Sequence, residues 1–271
     1  MKVGFIGTGN MGGALARAAA KAVSPSQIYL YDAFAEKADA LSKELSCNAA
    51  DLKTVSECDM IFLGVKPQVM TQMFSQLASL LATRKDTFVL ISMAAGIPVA
   101  RIQEMAEKKY PVIRIMPNMP VSVGCGMIQY TTSSNVTQAQ IDDFLSLMEY
   151  AGILDCLPEE LIDAGTSVAS CGPAFAFYFI EALTKGGIEC GLPEEKAKLY
   201  AIQMLLGSAK LALESDKTPS ALREAVCSPG GSTIEGIYAL QNGQFPETVK
   251  KRSASVLQAK SRTGASEIDS L

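Results

Sequence analysis

The chain has 271 residues, 48% of them apolar, and a net charge of −4 from 28 acidic against 24 basic side chains. That is enough apolar material for one large domain or two modest ones, and an acidic chain with no long basic run argues against nucleic acid as its partner. It contains no histidine, which removes the usual general acid–base residue, the commonest zinc ligand and every Ser-His or Cys-His nucleophile, so no metal site is expected.

Lys2 to Leu15 reads K-V-G-F-I-G-T-G-N-M-G-G-A-L. Val3 to Ile6 is a short apolar run with the look of a strand. It enters Gly7-Thr8-Gly9-Asn10-Met11-Gly12, a G-x-G-x-x-G pattern, and the Ala-rich Gly13 to Ala22 reads as a helix. Gly7 permits a tight turn, Gly9 lets a pyrophosphate approach the backbone, and Gly12 lets the helix sit close to the strand. The helix N-terminus offers free N–H groups and a positive dipole end. Ile6 to Gly12 is therefore the expected dinucleotide cradle.

Gln27 to Tyr31 is β-prone, and Asp32 follows it. An acid there can accept both hydroxyls of an adenosine ribose, or simply start a turn. Phe34 to Leu45 has helical spacing. Met60 to Val65, Thr87 to Ser92 and Val112 to Met116 read as buried strands. Each ends in small or rigid residues: Lys66-Pro67, Met93-Ala94-Ala95-Gly96 and Pro117-Asn118-Met119-Pro120. In an open parallel sheet such carboxyl ends line the ligand crevice. A helix near Gln138 to Tyr150 and a strand from Gly152 to Leu157 close this alternation.

After Pro158 the pattern becomes helical, at roughly 159–169, 173–190, 193–215, 218–226, 233–241 and 245–267, with Ser266 to Leu271 expected to fray. The expected fold is thus α/β. A Rossmann-like dinucleotide domain at 1–157 is followed by an all-helical domain at 158–271. Ala174 to Leu183 and Leu199 to Leu213 are apolar on most faces, and such helices need burial on several sides. A second copy is the simple remedy, so a helical homodimerisation domain is expected.

The seven cysteines are scattered and form no C-x-x-C pair. They read as reduced, mostly buried thiols in a cytoplasmic protein. No apolar run of about 18 residues suggests a membrane span, and Met1 leads straight into the first strand without room for a signal peptide.

A second glycine-rich stretch, Ser228-Pro229-Gly230-Gly231-Ser232-Thr233, precedes the helix expected to start near Ile234. Ser232 or Thr233 is placed to cap that helix. Its N–H groups would suit a small carboxylate, and an ordinary capped loop has the same spacing.

Six motifs in this order carry a family likeness: F-I-G-T-G-N-M-G at 5–12, F-L-G-V-K-P-Q at 62–68, S-M-A-A-G at 92–96, R-I-M-P-N-M-P at 114–120, S-C-G-P-A-F at 170–175 and S-P-G-G-S-T-I at 228–234. With G-G-I-E-C-G-L-P at 186–193, they span nearly the whole chain, which resembles the pyrroline-5-carboxylate reductases of proline biosynthesis. The resemblance implies reduction of 1-pyrroline-5-carboxylate by NAD(P)H. It places Val65, Lys66, Pro67, Met93, Ala94 and Ala95 along the cofactor and Asn118 at its nicotinamide end. Ser228, Gly231 and Ser232 would bind the substrate carboxylate, Thr233 would hydrogen-bond near the ring nitrogen, and Glu159 would lie near the substrate. It also implies a homodimer, with dimers stacked into a larger ring.

Departures from the family pattern bear on the cofactor. Asp32-Ala33-Phe34 stands where many members carry Ser, Asn or Arg suited to a 2′-phosphate. Asp51 and Ala225 stand where Asn is common. NADH is therefore expected over NADPH. A β-hydroxyacid dehydrogenase would look for a lysine and an asparagine on the following helices. No lysine lies between Lys109 and Lys185, and no asparagine between Asn135 and Asn242. A non-catalytic dinucleotide-binding dimer would have no use for the loop at 228–233.

Overall fold

The computed structural model describes residues 1–228, 230–252 and 255. The chain alternates β1 (Val3–Ile6), α1 (Asn10–Ala22), β2 (Ile28–Tyr31), α2 (Ala35–Leu45), β3 (Asn48–Ala49), α3 (Leu52–Ser56), β4 (Met60–Leu63) and α4 (Met70–Ala82). It continues through β5 (Val89–Ser92), α5 (Val99–Met105), β6 (Val112–Met116), β7 (Gly126–Thr132), α6 (Gln138–Leu147), β8 (Gly152–Cys156) and α7 (Ile162–Val168). The strands form one sheet in the order β3-β2-β1-β4-β5-β6-β7-β8.

Both faces of this sheet are covered, which explains why the central strands read as nearly continuous apolar runs, broken only by residues such as Ser92 and Arg114, rather than alternating. Val3, Phe5, Met60, Phe62, Val89 and Ile91 face one core, built with α1, α2 and α6. Ile6, Ile61, Leu63, Leu90 and Val112 face the other, against α3, α4 and α5. Phe5 and Phe62 stack at 4.5 Å between adjacent strands. The chain leaves β1 towards β2 and β3, then returns to β4 on the other side of β1. The sheet therefore has its switch point between β1 and β4, where ligands bind in open α/β sheets.

One expectation is corrected here. The sheet is not wholly parallel: β7 runs antiparallel to β6, and β8 parallel to β7. β7 has no strand signal of the usual kind, because its sequence, G-M-I-Q-Y-T-T, lacks the apolar run of the other strands. Ile128 and Tyr130 join the first core, while Gln129 and Thr131 lie buried on the other face beside Arg114. A polar stripe covered by α7 has no simple hydrophobic signature. Gly165 of α7 sits so close that an added Cβ would lie 2.5–2.7 Å from the Gln129 amide.

The chain divides into two compact units after Cys171. Residues 158–171, grouped with the helical part from sequence, belong with the sheet. The expected helix at 159–169 is a 3-10 turn (Glu159–Leu161) followed by the short α7.

The second unit holds α8 (Gly172–Glu189), α9 (Glu194–Glu214), α10 (Pro219–Val226) and α11 (Ser232–Asn242), and residues 245–252 are also helical. The rest of the helix expected to 267 and the frayed end expected from Ser266 fall outside the described residues, save Ser255. α8 and α9 form an antiparallel pair joined by a turn with Gly191 at φ +96. Gly187 lets them approach closely, since a Cβ there would meet that of Ala197 at 3.0 Å. Only Ala197 and Ala201 are buried on α9, and no residue is buried on α8. Large apolar side chains such as Tyr178, Leu206 and Leu213 stay exposed.

No helix among the described residues is long and apolar enough to cross a membrane. Nor is there, among them, a cluster of three metal-ligating side chains. All seven cysteines are free thiols. They are not mostly buried: Cys58 is, but Cys125, Cys156 and Cys190 are exposed. Cys156 lies on the edge strand and Cys190 in the sparsely buried helical unit.

Candidate active site

At the switch point two glycines crowd the carbonyl of a third. An added Cβ on Gly12 would lie 2.1 Å from the Gly7 oxygen, and one on Gly64 would lie 2.7 Å from it. Gly7 itself has φ +96, a conformation that side-chain-bearing residues avoid. Gly9 differs, because a Cβ there would meet nothing within 4 Å. Space, not packing, lies above Gly9, and Gly9 is also the N-cap of α1, with no side chain capping that helix. These are the conditions under which backbone N–H groups can receive a pyrophosphate.

Above this floor opens a cleft of about 560 Å³. It is lined by Ile6, Gly7, Gly9, Asp32, Val65 and Lys66, all expected from sequence. It is also lined by Tyr31, Ala33, Phe34, Lys37, Leu52, Gly64, Val69, Gln72, Met73 and Gln76, which were not expected. The added wall comes largely from α4 and the start of α2, and its only sequence signal is adjacency to the two strand ends. The residues present fit a dinucleotide: a glycine floor with open space, an acid at the end of β2, and apolar flanks.

Asp32 is tightly engaged. Its Oδ2 accepts from the Thr8 backbone N–H at 2.8 Å and from the Thr8 hydroxyl at 3.0 Å, and its Oδ1 accepts from the Phe34 N–H at 3.0 Å. Lys37 holds its ammonium 4.8 Å from the centre of the exposed Phe34 ring. Asp51 does not line the cleft. It caps α3 by accepting from the Thr54 N–H at 2.8 Å, and the Thr54 hydrogen bonds hold its carboxyl below the usual range.

The other expected cofactor residues lie off this cleft. Asn10, Met11 and Gly12 form the first turn of α1, and Pro67 opens a 3-10 turn after Lys66. Met93, Ala94 and Ala95 follow β5, with Ala94 buried. Asn118 is buried with both ends of its amide engaged: Nδ2 donates to the Ala169 carbonyl at 3.0 Å and Oδ1 accepts from Met127 N–H at 2.9 Å. Its side chain fastens the loop after β6 to β7 and to the end of α7.

Glu159 also has partners in the first unit. One carboxylate oxygen, Oε1, accepts from Arg114 Nη1 at 2.9 Å and from the Val99 backbone N–H at 2.8 Å. Arg114 is buried, with Asp163 at 3.9 Å as a second acid.

In the helical unit, Gly231 is the N-cap of α11 and no side chain caps that helix. The expected capping role of Ser232 or Thr233 is not observed. Both lie inside the first turn and are exposed. The loop folds back through the Gly231 N–H, which donates to the Ser228 carbonyl at 3.0 Å. A Cβ on Gly231 would come within 2.6 Å of the Ser228 hydroxyl oxygen, so a side chain there would displace that hydroxyl. Pro229 lies outside the described residues. The α11 N-terminus thus presents uncapped N–H groups flanked by hydroxyls, an arrangement suited to a carboxylate.

Residues 159–263 match the family model for pyrroline-5-carboxylate reductase dimerisation, and residues 2–96 match the model for NADP oxidoreductase, coenzyme F420-dependent. Pyrroline-5-carboxylate reductase of Escherichia coli is 36% identical over 252 residues, covering 92% of this chain and 93% of that one. The chain belongs to the pyrroline-5-carboxylate reductase family. A zebrafish (Danio rerio) member, pyrroline-5-carboxylate reductase 3, is 33% identical over 90% of this chain and 85% of its own. Among solved structures, the Plasmodium falciparum reductase with NADP bound superposes with a TM-score of 0.86 at 28% identity, covering 97% of this chain and 98% of that one. The Coxiella burnetii reductase gives 0.88 at 28% identity, covering 96% and 97%. The two family models match stretches in both units, residues 2–96 in the first and 159–263 across the helical one.

Proposed function

We propose that this chain reduces 1-pyrroline-5-carboxylate to proline with NAD(P)H, prefers NADH, and works as a homodimer. The observation that carries this is the combination, in one member of the reductase family, of a glycine-floored cleft with an uncapped, hydroxyl-flanked helix start. When bound, a reduced nicotinamide supplies the hydride that adds to the carbon of the C=N bond.

The chain's own residues do the holding. Gly7 to Gly12 and the start of α1 receive the pyrophosphate, and Asp32 receives the adenosine ribose. Val65 to Pro67 and Met93 to Ala95 shape the path to the nicotinamide, with Asn118 acting through the loop it fastens. Ser228, Gly231 and Ser232 hold the substrate carboxylate at the α11 N-terminus, and Glu159 stiffens the first unit around Arg114. The Thr233 hydroxyl hydrogen-bonds at the ring nitrogen. A threonine hydroxyl is far too weak an acid to protonate an imine at neutral pH, and no histidine exists to do it. The iminium therefore forms by exchange with solvent, and the protein contributes position.

NADH preference follows from the Asp32 carboxylate, which would repel a 2′-phosphate. Dimerisation follows from the exposed apolar faces of α8 and α9, which a second copy would cover. A ring of dimers and a cytoplasmic location complete the proposal. The test is NADH oxidation with and without 1-pyrroline-5-carboxylate, with proline measured as product. Substrate-dependent oxidation is expected. Intact NADH binding without turnover on either reduced cofactor would favour a non-catalytic dinucleotide-binding dimer and sink the proposal.

A further inference from the structure

We propose that Thr8 is a positioning residue for cofactor choice: its hydroxyl locks the Asp32 carboxylate so that a ribose hydroxyl is accepted and a 2′-phosphate refused. This rests on the reading of the cleft as an NADH-preferring dinucleotide site.

An ionised carboxylate has about four lone-pair directions, two on each oxygen. At Asp32 three are taken. Oδ2 accepts twice from Thr8, at 2.8 Å from the backbone and 3.0 Å from the hydroxyl, and Oδ1 accepts once from the Phe34 N–H at 3.0 Å. One acceptor direction on Oδ1 is left, on a residue that lines the cleft. A ribose hydroxyl is a donor and can complete the set. A phosphate ester at the same place offers acceptors and negative charge to an oxygen that can only accept.

An acid at this position need not exclude the phosphorylated cofactor if it can swing away. Here swinging away would strip the Thr8 hydroxyl and N–H, both part-buried, and the exposed Phe34 N–H of their partner. The two strand-end loops are also joined directly, with the Gly7 N–H donating to the Tyr31 carbonyl at 2.7 Å. The clamp is therefore fixed at both ends. Two of its three donors are backbone groups that substitution does not remove. The Thr8 hydroxyl is the one side-chain component, and it sits at the position between Gly7 and Gly9 that the G-x-G-x-x-G pattern leaves unspecified. Lys37 and Lys66 also line the cleft. Their flexible stems leave two cations available to a 2′-phosphate once the acid is free to turn.

The experiment uses the full-length protein with Thr8→Val, Thr8→Ser and Asp32→Ser. Affinities for NADH and NADPH are titrated directly, and those for adenosine 5′-monophosphate and adenosine 2′,5′-bisphosphate are measured by calorimetry. The kcat/KM ratio for the two reduced cofactors is measured alongside, with thermal unfolding to show that each variant is folded. Thr8→Val has nearly the shape of the parent and is expected to narrow the NADH preference by roughly fivefold, the worth of one modest hydrogen bond. Thr8→Ser keeps the hydroxyl and should keep the parent ratio. Asp32→Ser should narrow it further. If Asp32→Ser narrows the ratio and a folded Thr8→Val does not, the positioning role is wrong while the cofactor reading stands. If Thr8→Val weakens both cofactors equally, Thr8 serves the phosphates and not the choice. If the parent itself prefers NADPH, both the NADH reading and this inference fall.

Discussion

Replacing Glu159 by alanine separates a structural role from a substrate-binding one. The substitution removes the acceptor of two hydrogen bonds, at 2.9 Å from Arg114 Nη1 and 2.8 Å from the Val99 N–H. The Arg114 side chain is only 5% exposed, and its Nε already lacks a partner among the described residues. Removing one member of a fully buried ion pair costs about 3–5 kcal/mol. Glu159 is 35% exposed and Asp163 remains at 3.9 Å, so solvent and the second acid reduce the cost to about 2–3 kcal/mol. For a unit of this size, each kcal/mol moves the midpoint by about 2–4 °C, so Tm should fall by roughly 4–12 °C. Glu159→Gln keeps a carbonyl oxygen in place and loses only the charge, at about 1 kcal/mol. Thermal unfolding by circular dichroism, run beside steady-state kinetics at a temperature where all variants are folded, gives both readouts. An unchanged Tm with KM for the substrate raised tenfold would refute the structural role and return this carboxylate to the substrate, where the family likeness first put it.

Gly9→Ala should fold like the parent, because an added Cβ meets nothing within 4 Å, yet lose NADH affinity by roughly tenfold or more. Gly12→Ala should instead lower Tm, since its Cβ would fall 2.1 Å from the Gly7 oxygen; matched behaviour of the two variants would contradict the cradle. Thr233→Ala should lower kcat/KM by roughly tenfold, about 1.4 kcal/mol of transition-state stabilisation, with Thr233→Ser close to the parent and NADH titration unchanged in both. Full activity of Thr233→Ala, or loss of NADH binding, would remove the loop from the substrate site. Light scattering should give a dimer or a multiple of it at micromolar concentration, and a stable monomer would overturn the role given to α8 and α9. Burial, reinforced by the Asp59 charge, pushes the Cys58 thiol up to about 12. An unfolded thiol ionises near about 8.5, so this contribution to stability is complete below that pH and fades as pH rises towards the folded value. Tm should therefore decline on the alkaline side, and native alkylation should mark Cys125, Cys156 and Cys190 while sparing Cys58; equal labelling of Cys58 would show the site to be open.

What could be read from the sequence is what short stretches impose by themselves. Gly7 needs a positive φ and Gly12 needs room beside a carbonyl, and both needs follow from the turn between one strand and one helix. The short apolar runs of β1, β4, β5 and β6 announce strands buried on both faces, because each is only four or five residues long and most are bounded by Gly, Pro or polar turn residues. The apolar α8 and α9 announce that something must cover them. The Ser228 to Thr233 loop was visible as a motif, and which residue caps α11 was not, because the cap depends on a backbone path that hydroxyl-bearing residues do not dictate.

Tertiary structure alone decided the rest. β7 turns back antiparallel with polar residues facing inward, and that is stable only because α7 lies over Gln129 and because Glu159 reaches Arg114 from 45 residues away. Nothing within either segment signals the other. The same holds for Asp32. The sequence placed an acid at the end of β2 with the Phe34 N–H two residues on, and only the fold brings it to Thr8, 24 residues earlier, whose hydroxyl and N–H complete the hold on its carboxylate. Backbone conformation is a local property and leaves a local trace, whereas partners for buried charge are chosen across the sheet once its strands have found their order.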